Sequence, residues 1–386
     1  MSGNGNTKRF KSRFIGFAFL LVIVVIVIII GVSLFLGDLS PLRLSDLFSR
    51  KIPPITVNEF NFDIGRARAF ANLDGSIAAA GTQGVKVLDA GGTLTLREPF
   101  RLSEPVITAS ASRCIAYDLG GNAVRVFNKT EVLSVIETDN AIVSASLNHN
   151  GWYCLVTQGS GGYKSAVTVY NSANTNVYGV NLVTGFALSA QLSYDNKNLA
   201  ILSLAETGSR IIFYHDIDTQ EDPAFVFEFD DGLIIDIIYL KNGDLLAVST
   251  KSLIIIDSFG SNNVLYDFEG KRLGGYTFNG ELIALHLYDY GVGHRGRLVT
   301  LLLNGTVLGE LIMDREIISM SSVNDSLILL RNDGVSFFNK ELEEFGLSAD
   351  SLSAAGASRV LAVREDTALA VSDNSAVIIR REETVK

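Results

Sequence analysis

Short apolar runs separated by turn residues recur along most of this chain in one order. The stretch LKNGDLLAVSTKSLIIID (Leu240–Asp257) shows the unit: an Asn-Gly turn, an apolar strand, a polar break and a second apolar strand. The apolar residues alternate or run continuously over a few positions, which is typical of strands and not of amphipathic helices. Asn-Gly turns suit tight hairpins because they reach positive φ at little steric cost. The pattern therefore predicts a long series of antiparallel hairpins.

The number of repeats can be counted on the third strand of each unit, a β-branched or aromatic run that often ends in Asn or Asp. Its equivalent positions, 38 to 44 residues apart, are Val87, Val126, Val169, Phe213, Ile255, Val299, Phe337 and Ile378. A strand rich in small residues, such as VITASAS, precedes the turn, and a more polar strand, such as EVLSVIE, ends the unit. Four strands graded in this way describe a propeller blade from axis to rim. The sequence predicts an all-β, eight-bladed β-propeller over residues 56–386, with seven blades as the alternative if one repeat is misassigned.

The two ends of the repeat region predict how the ring closes. The eighth unit supplies three strands, the last in AVIIRRE, and the chain then nearly stops. The segment ITVNEFNFD (Ile55–Asp63) precedes the first unit and can supply the missing outer strand. We expect such a clasp because it removes the open edges that an unclosed ring would leave.

A separate apolar segment lies before the repeats. Phe14–Leu36 is a run of 23 residues without a charge, 19 of them Leu, Ile, Val or Phe. As a helix it would be about 35 Å long, enough to cross a hydrocarbon core of about 30 Å. The sequence thus predicts one N-terminal transmembrane helix at residues 14–36, followed by a stalk at residues 37–55 that is either a linker or a short amphipathic helix.

The charges beside this segment predict its orientation. Four basic residues stand directly before it: Lys8, Arg9, Lys11 and Arg13. Cytoplasmic flanks carry such an excess of Lys and Arg, so residues 1–13 are expected in the cytoplasm. We therefore expect a single-pass protein of the cell membrane, held by an uncleaved signal anchor, with an extracytoplasmic propeller. A cleaved signal peptide is the alternative.

Composition narrows the partners of the repeat region. Beyond residue 55 it holds 25 Lys and Arg against 40 Asp and Glu. This acidic excess argues against nucleic acid and against broad docking on anionic lipid. The two cysteines, Cys114 and Cys154, lie inside apolar runs, and we expect buried core residues, with a disulfide as the alternative.

These blade patterns resemble WD40-like and quinoprotein-like β-propellers. The full layout, one apolar span followed by the repeats, resembles a family of single-span, membrane-anchored bacterial propellers of unknown function. No blade ends in Trp-Asp, however, and the chain has a single tryptophan, Trp152, so it lacks the repeated tryptophan docking motif of quinone-dependent dehydrogenases. The resemblance implies the fold and leaves the function open.

Motifs for catalysis, cofactors or metals are sparse. The four histidines have no metal-ligand spacing, and neither a Gly-x-Ser-x-Gly elbow nor Cys-x-x-Cys occurs. GSGGYKS (Gly159–Ser165) lacks the spacing of a phosphate loop and is expected to be a hairpin. The acids of HDIDTQEDP (His215–Pro223) are expected to be solvated, because a calcium site needs six or more oxygens around one point. We expect no cofactor and no metal site.

The expected binding surface follows from loop length. Three long segments join second and third strands, on the face that also carries the connections between blades: Gln158–Ser165, Ala205–Ser209 and Tyr288–Gly296. Long loops on a rigid scaffold commonly carry recognition. The expected contact residues are Tyr163, Lys164, Tyr288, Tyr290, His294 and Arg295. The sequence thus favours a non-catalytic binding or scaffold module for a protein, peptide or glycan, with an extracytoplasmic hydrolase or lyase as the alternative.

Overall fold

The computed structural model describes residues 55–66, 69–89, 91–110, 112–220, 222–289, 295–347, 356–372 and 375–381. Within them the chain forms 32 β-strands in eight four-stranded antiparallel sheets. This confirms the eight-bladed propeller and excludes the seven-bladed alternative. The described part contains no helix that is long and apolar enough to cross a membrane. The predicted span Phe14–Leu36 lies outside that part.

Each blade is formed by strands that follow one another along the chain, from the axis to the rim. Blade 1 contains β2 (Ala69–Leu73), β3 (Ser76–Gly81), β4 (Gly84–Leu88) and β5 (Leu94–Pro99), and blade 2 contains β6 (Pro105–Ala109), β7 (Cys114–Asp118), β8 (Ala123–Phe127) and β9 (Val132–Glu137). Blade 3 contains β10 (Ile142–Leu147), β11 (Tyr153–Gln158), β12 (Ser165–Tyr170) and β13 (Asn176–Leu182). Blade 4 contains β14 (Phe186–Leu192), β15 (Leu199–Leu204), β16 (Ser209–Tyr214) and β17 (Phe225–Phe229).

Blades 5 to 7 repeat the same order. Blade 5 contains β18 (Ile234–Tyr239), β19 (Leu245–Ser249), β20 (Ser252–Ile256) and β21 (Asn262–Asp267). Blade 6 contains β22 (Arg272–Phe278), β23 (Leu282–Tyr288), β24 (Gly296–Leu302) and β25 (Val307–Met313). Blade 7 contains β26 (Ile317–Val323), β27 (Ser326–Arg331), β28 (Gly334–Asn339) and β29 (Glu344–Leu347).

Blade 8 joins the two ends of the propeller. Its three inner strands are β30 (Arg359–Arg364), β31 (Thr367–Val371) and β32 (Ser375–Arg381), and β1 (Ile55–Asn61) is its outer strand. β1 pairs with β32 in an unbroken antiparallel register from Ile55 opposite Arg381 to Asn61 opposite Ser375. The predicted clasp is therefore confirmed.

The core lies between the blades and not inside any one of them. Each of the eight hydrophobic clusters draws its buried side chains mainly from two neighbouring blades. The cluster between blades 8 and 1 includes Leu369 and Ile77, and Phe62 and Ile64, which follow the clasp, are buried in it. A blade can bury its two faces only against neighbours, so the repeat must continue until the ring closes.

Hydroxyl groups on the small inner strands tie neighbouring blades together. Ser146 of blade 3 donates a hydrogen bond of 2.5 Å to the Ala190 carbonyl of blade 4. Between blades 7 and 8, Ser321 accepts a bond of 2.9 Å from the backbone N–H of Ala362. Small polar residues therefore allow close approach at the axis while satisfying backbone groups that would otherwise lack partners.

The Asn or Asp that follows many third strands caps the next turn. Asp89 Oδ1 accepts hydrogen bonds from the backbone N–H groups of Gly91 and Thr93, both at 2.8 Å. Asp257 makes the same pair of bonds to Phe259 and Ser261. These are Asx turns, in which a short side chain replaces a backbone partner and reverses the chain. The recurring residue in the sequence thus marks the hairpin between the third and fourth strands.

The ring has two different faces. The turn face carries the first-to-second turns, such as residues 148–152, and the third-to-fourth turns, such as 257–261; the loop face carries the second-to-third loops, such as 159–164, and the blade connections, such as 183–185. One long connection interrupts the turn face, the ten residues 215–224 between β16 and β17. β1 begins on the turn face and ends on the loop face, so the chain enters the propeller from the turn face.

The two cysteines are buried and unpaired. Cys114 lies on β7 of blade 2 and Cys154 on β11 of blade 3. Burial raises the pKa of each thiol to about 12. Both are therefore core residues, as expected, and the disulfide alternative is excluded.

Candidate functional site

The structure places four of the six predicted contact residues on the loop face, in two separate groups. Tyr163 and Lys164 belong to the second-to-third loop of blade 3, while Tyr288 and Arg295 flank the equivalent loop of blade 6. Blades 4 and 5 lie between the two groups. Tyr290 and His294 lie outside the described residues. One compact partner could reach both groups only by spanning the mouth of the central channel.

The blade 3 group joins a wider apolar surface. Tyr163 is 45% exposed, and the Lys164 ammonium lies 5.8 Å above the ring of Phe186, which is itself 56% exposed. Phe186 opens the first strand of blade 4 directly after a turn at Gly185, whereas the first strands of the other blades begin with Ala, Pro, Ile or Arg. Sequence reasoning missed it, although an aromatic residue at this position is a readable signal.

The blade 6 group surrounds a buried histidine. His286 is only 1% exposed, its ring packs 4.1 Å from that of Tyr288, and its Nε2 has no hydrogen-bond partner in the described structure. Burial lowers the pKa of His286 to about 4, so the ring is neutral at physiological pH. A Cβ on Gly296 would lie 2.4 Å from His286 Nε2, so glycine is required at this close approach.

Charged side chains around the blade 6 group form ion pairs with one another. Glu269 pairs with Lys271 at 3.5 Å and with Arg297 at 3.6 Å. Arg295 lies 3.7 Å from Asp314, and the Arg272 guanidinium stacks 5.6 Å from the Tyr288 ring centre. The basic residues that distinguish this loop in the sequence are therefore balanced by acids, and the surface is a mixed polar one.

Exposed apolar side chains are concentrated on the loop face. Away from the outer strands, nine large apolar residues are exposed among those described, and seven of them lie on the loop face: Leu119, Tyr163, Val183, Phe186, Leu233, Ile235 and Ile318. Tyr194 and Phe259 lie on the turn face. Six of the seven follow one another through blades 2 to 5. Grouped exposed apolar residues commonly mark an interaction surface.

Three cavities of the described structure lie on the opposite, turn face. One of about 660 Å³ lies between blades 7 and 8, and its lining includes polar residues that bind each other, as in the bond of 2.9 Å from Asn324 Nδ2 to Glu365 Oε1. A smaller one, about 210 Å³, lies between blades 8 and 1. A third, about 480 Å³, reaches from the channel mouth across blades 3 to 6 and has an aromatic lining. The two faces thus differ in shape as well as in polarity.

One carboxyl group in the channel has a perturbed pKa. Asp236, on the first strand of blade 5, accepts hydrogen bonds from the Tyr276 hydroxyl of blade 6 and from the backbone N–H of Ile237. Burial raises the pKa of Asp236, and the bond from Tyr276 partly offsets this. Both of its oxygens have partners, so Asp236 links two inner strands.

The remaining motifs have ordinary structures. GSGGYKS forms the expected hairpin loop between β11 and β12, with Gly161 and Gly162 at positive φ. In the segment 215–224, Ile217 is buried and the described acids lie at the surface. Within the described ranges no three His, Cys, Asp or Glu side chains gather where they could bind a metal.

Comparison with solved structures supports the fold. The chain is similar to the C-terminal WD40 domain of Sif2, with a TM-score of 0.61, 15% identity and coverage of 86% of this chain and 100% of that domain. It is also similar to BamB from Moraxella catarrhalis, with a TM-score of 0.53, 15% identity and coverage of 86% and 99%. For the quinohemoprotein alcohol dehydrogenase ADHIIG from Pseudomonas putida HK5 the TM-score is 0.55, the identity 11% and the coverage 86% and 77%. At these identities the similarity establishes the propeller alone.

Sequence comparison gives the family. No curated protein sequence matches this chain at a significant level. The profile of DUF5711, a family of unknown function, matches residues 56–344, about three quarters of the chain, and the chain therefore belongs to this family.

Proposed function

We propose that this chain is a non-catalytic, membrane-anchored propeller that binds a protein partner through its loop face. The fold alone does not determine the function, because a WD40 domain and a dehydrogenase are both among the similar structures. The observation that carries the proposal is the position of the exposed large apolar residues away from the outer strands: among those described, seven lie on the loop face and two on the turn face. A protein partner would cover this surface and remove it from water.

The aromatic residues of blades 3 and 4 are the proposed anchors. Tyr163 and Phe186 are half exposed on a rigid scaffold, and the Lys164 ammonium lies over the Phe186 ring. Aromatic residues that fill a partner's pockets contribute most of the energy in protein interfaces. The blade 6 residues, Tyr288 and Arg295 with Tyr290 and His294, are proposed as a second, more polar contact across the channel mouth.

The alternative of a hydrolase or lyase has less support. Among the described residues, the carboxyl group with a raised pKa in the channel is Asp236, and both of its oxygens are hydrogen-bonded. A catalytic acid or base must have an oxygen within hydrogen-bond reach of a substrate, and both oxygens of Asp236 are already occupied by donors of the protein. We therefore favour the binding role.

A capture experiment tests the proposed surface. Cells expressing the tagged full-length chain would be crosslinked, and captured proteins compared between the unchanged chain, a loop-face variant (Tyr163→Ser with Phe186→Ser) and a turn-face variant (Tyr194→Ser with Phe259→Ser). Loss of an anchor costs about 2 kcal/mol or more, so capture by the loop-face variant should fall at least about tenfold. The turn-face variant, which loses the same kind of side chains, should capture normally. Equal capture by both variants would remove the basis for the loop face.

A second pair of variants separates the two groups of residues. Lys164→Ser with Tyr163→Ser changes blade 3 alone, and Tyr288→Ser with Arg295→Ser changes blade 6 alone. A partner that spans the channel mouth should be weakened by either change. If only the blade 3 change weakens capture, Tyr288 and Arg295 are not part of the interface.

We also propose that the propeller lies outside the cytoplasm. The support is the uncharged segment Phe14–Leu36 and the basic residues before it. Protease added to intact cells or protoplasts should digest the propeller and spare an N-terminal tag. A propeller that stays protected until the membrane is permeabilised would reverse this orientation.

A further inference from the structure

The third cavity on the turn face has the features of a small-molecule site. Its volume of about 480 Å³ lies within the range of about 300–1,000 Å³ that is typical of ligand pockets. It runs outward from the channel mouth, with His149 and Tyr194 at blades 3 and 4, Tyr239 at blade 5 and Phe278 at blade 6. Apolar and aromatic walls with a few polar groups are the usual lining of such pockets.

Two of these rings are held in place before any ligand binds. The rings of His149 and Tyr194 stack with centres 3.6 Å apart and planes within 6°. Asn148 holds both turns: its Nδ2 donates to the Ser193 carbonyl beside Tyr194 at 2.8 Å, and its Oδ1 lies 3.0 Å from His149 Nδ1. A platform that is already ordered reduces the entropy that binding would cost.

Polar groups in the lining lack partners within the protein. The Tyr239 hydroxyl forms no hydrogen bond to any described residue, and Lys241, in the adjacent turn, forms no ion pair in the described structure. Asn242 Nδ2 donates to Asp244 Oδ2 at 2.7 Å, which leaves the other carboxylate oxygen of Asp244 without a side-chain donor among the described residues. The hydroxyl of the half-buried Tyr239 would normally have a partner, and the exposed Lys241 ammonium and the second Asp244 oxygen are available to a ligand beside it.

The charges of the lining favour a neutral ligand. Lys241 and Asp244 supply one positive and one negative side chain. A ligand anion would meet Asp244 in a domain that is acidic overall, and a ligand cation would meet Lys241. A sugar ring has an apolar face of C–H groups and a rim of hydroxyls that both donate and accept hydrogen bonds. It matches an aromatic platform beside a phenol, an amide, an amine and a carboxylate.

We propose that this cavity binds a neutral saccharide, with a sugar ring on the exposed side of the His149–Tyr194 stack and its hydroxyls on Tyr239, Lys241, Asn242 and Asp244. The site lies on the face opposite the proposed protein surface and does not depend on it. The propeller would then hold two kinds of ligand, a protein on the loop face and a saccharide on the turn face.

The chain carries its own reporter for the test. Trp152, the single tryptophan, ends the turn that contains His149 and packs against the blade 3–4 core. The full-length chain would be purified in a polyoxyethylene detergent, because glucoside and maltoside detergents would compete. Methyl β-D-glucoside, methyl N-acetyl-β-D-glucosaminide and their β-1,4-linked disaccharides would be titrated, with Trp152 fluorescence and calorimetry as readouts. At least one of these probes should bind, with a saturable change in both signals.

Matched variants locate the binding. Tyr194→Ala removes the platform, and Tyr239→Phe removes only a hydroxyl; each should weaken binding of the best probe by about tenfold or more. Phe259→Ala removes an aromatic side chain of the same face that is 89% exposed and does not line the cavity, and it should leave binding unchanged. Circular dichroism and the melting temperature would show that each variant is folded.

Three outcomes would overturn the proposal. In the first, none of the probes binds at millimolar concentration. In the second, Tyr194→Ala and Phe259→Ala have equal effects on binding. In the third, a choline control binds and the saccharides do not, which would indicate a cation site in place of a saccharide site. None of these outcomes bears on partner capture by the loop face, so the two proposals stand or fall separately.

Discussion

The loop face and the turn face are built from the same eight sheets and yet differ in kind. The loop face exposes apolar side chains such as Phe186 and has ion pairs around Tyr288, while the turn face has tight Asx turns, bonds between neighbouring turns, and the cavities. The described connections on the two faces are of similar length, since two-residue loops such as 250–251 lie on the loop face and the ten residues 215–224 lie on the turn face. The difference therefore lies in the side chains that each face carries. A single scaffold can therefore present a broad surface on one side and pockets on the other.

The largest expected effect concerns the clasp, on which both faces depend. Deleting Ile55–Asn61 removes the outer strand of blade 8 and exposes the edge of β32. The ring should lose several kcal/mol of stability and melt about 10 °C or more lower, with aggregation through the open edge. Differential scanning calorimetry would measure this, with deletion of the seven residues 41–47 as the control. An unchanged melting curve for the clasp deletion would show that the ring does not need β1.

The next effect tests packing beneath the loop face. Gly296→Ala places a Cβ against His286, and such overpacking costs about 1–3 kcal/mol. Gly275→Ala, on β22 of the same blade, meets no atom within 4 Å and is the matched control. Chemical denaturation should show a lower free energy of unfolding for the first variant and little change for the second. Equal stability of the two variants would contradict the described contact.

A smaller effect tests the neutral state of His286 through pH. Its pKa is lowered to about 4 in the folded protein from an ordinary value of 6.5, so the unfolded chain binds the proton first as pH falls. Stability from this group is therefore complete above pH 6.5 and is lost between about pH 6.5 and 4, with about 2 kcal/mol lost by pH 5. The difference in free energy of unfolding between the unchanged protein and the His286→Gln variant, measured at each pH, isolates this contribution, because the surface carboxylates titrate in both proteins. Parallel stability curves between pH 7 and 5 would show that His286 is not buried and neutral.

The smallest effect tests the turn face. Asn148→Ala removes the bonds that join the turns of blades 3 and 4, which should cost about 1–2 kcal/mol. Asn150→Ala, in the same turn, loses a single bond of 3.3 Å to Trp152 and is the control. Trp152 emission should shift only in the Asn148 variant, because only there does the His149–Tyr194 stack lose its support. A shift of equal size in both variants would show that Asn148 has no special role.

Much of the fold could be predicted from the sequence because each blade is a local structure. The Asn-Gly and Asp-Gly turns and the third strands around Val87 or Ile255 are encoded by neighbouring residues, and the clasp at Ile55 follows from the strand that the eighth unit lacks. The structure confirms all of them. Cys114 and Cys154 were correctly expected to be core residues because they lie inside apolar strands.

The site was harder to predict because it depends on which blades meet. Tyr163 and Tyr288 look alike in sequence, but two blades separate them. His149 and Tyr194 are 45 residues apart and stack only because one turn follows another around the ring. In the sequence His286 resembles any histidine of a strand, and only the structure shows that it is buried and packs closely against Gly296. Such contacts are set by the curvature of the ring, which no single repeat contains.

Site-specific photocrosslinking tests the difference between the faces most directly. A photoreactive amino acid would replace Phe186 on the loop face or Phe259 on the turn face, one at a time, in the full-length chain in intact cells. Both positions are exposed and aromatic, so the two variants differ in the face they report. Our account predicts a discrete protein adduct from position 186 and none from position 259. The same adduct from position 259, with none from position 186, would contradict it.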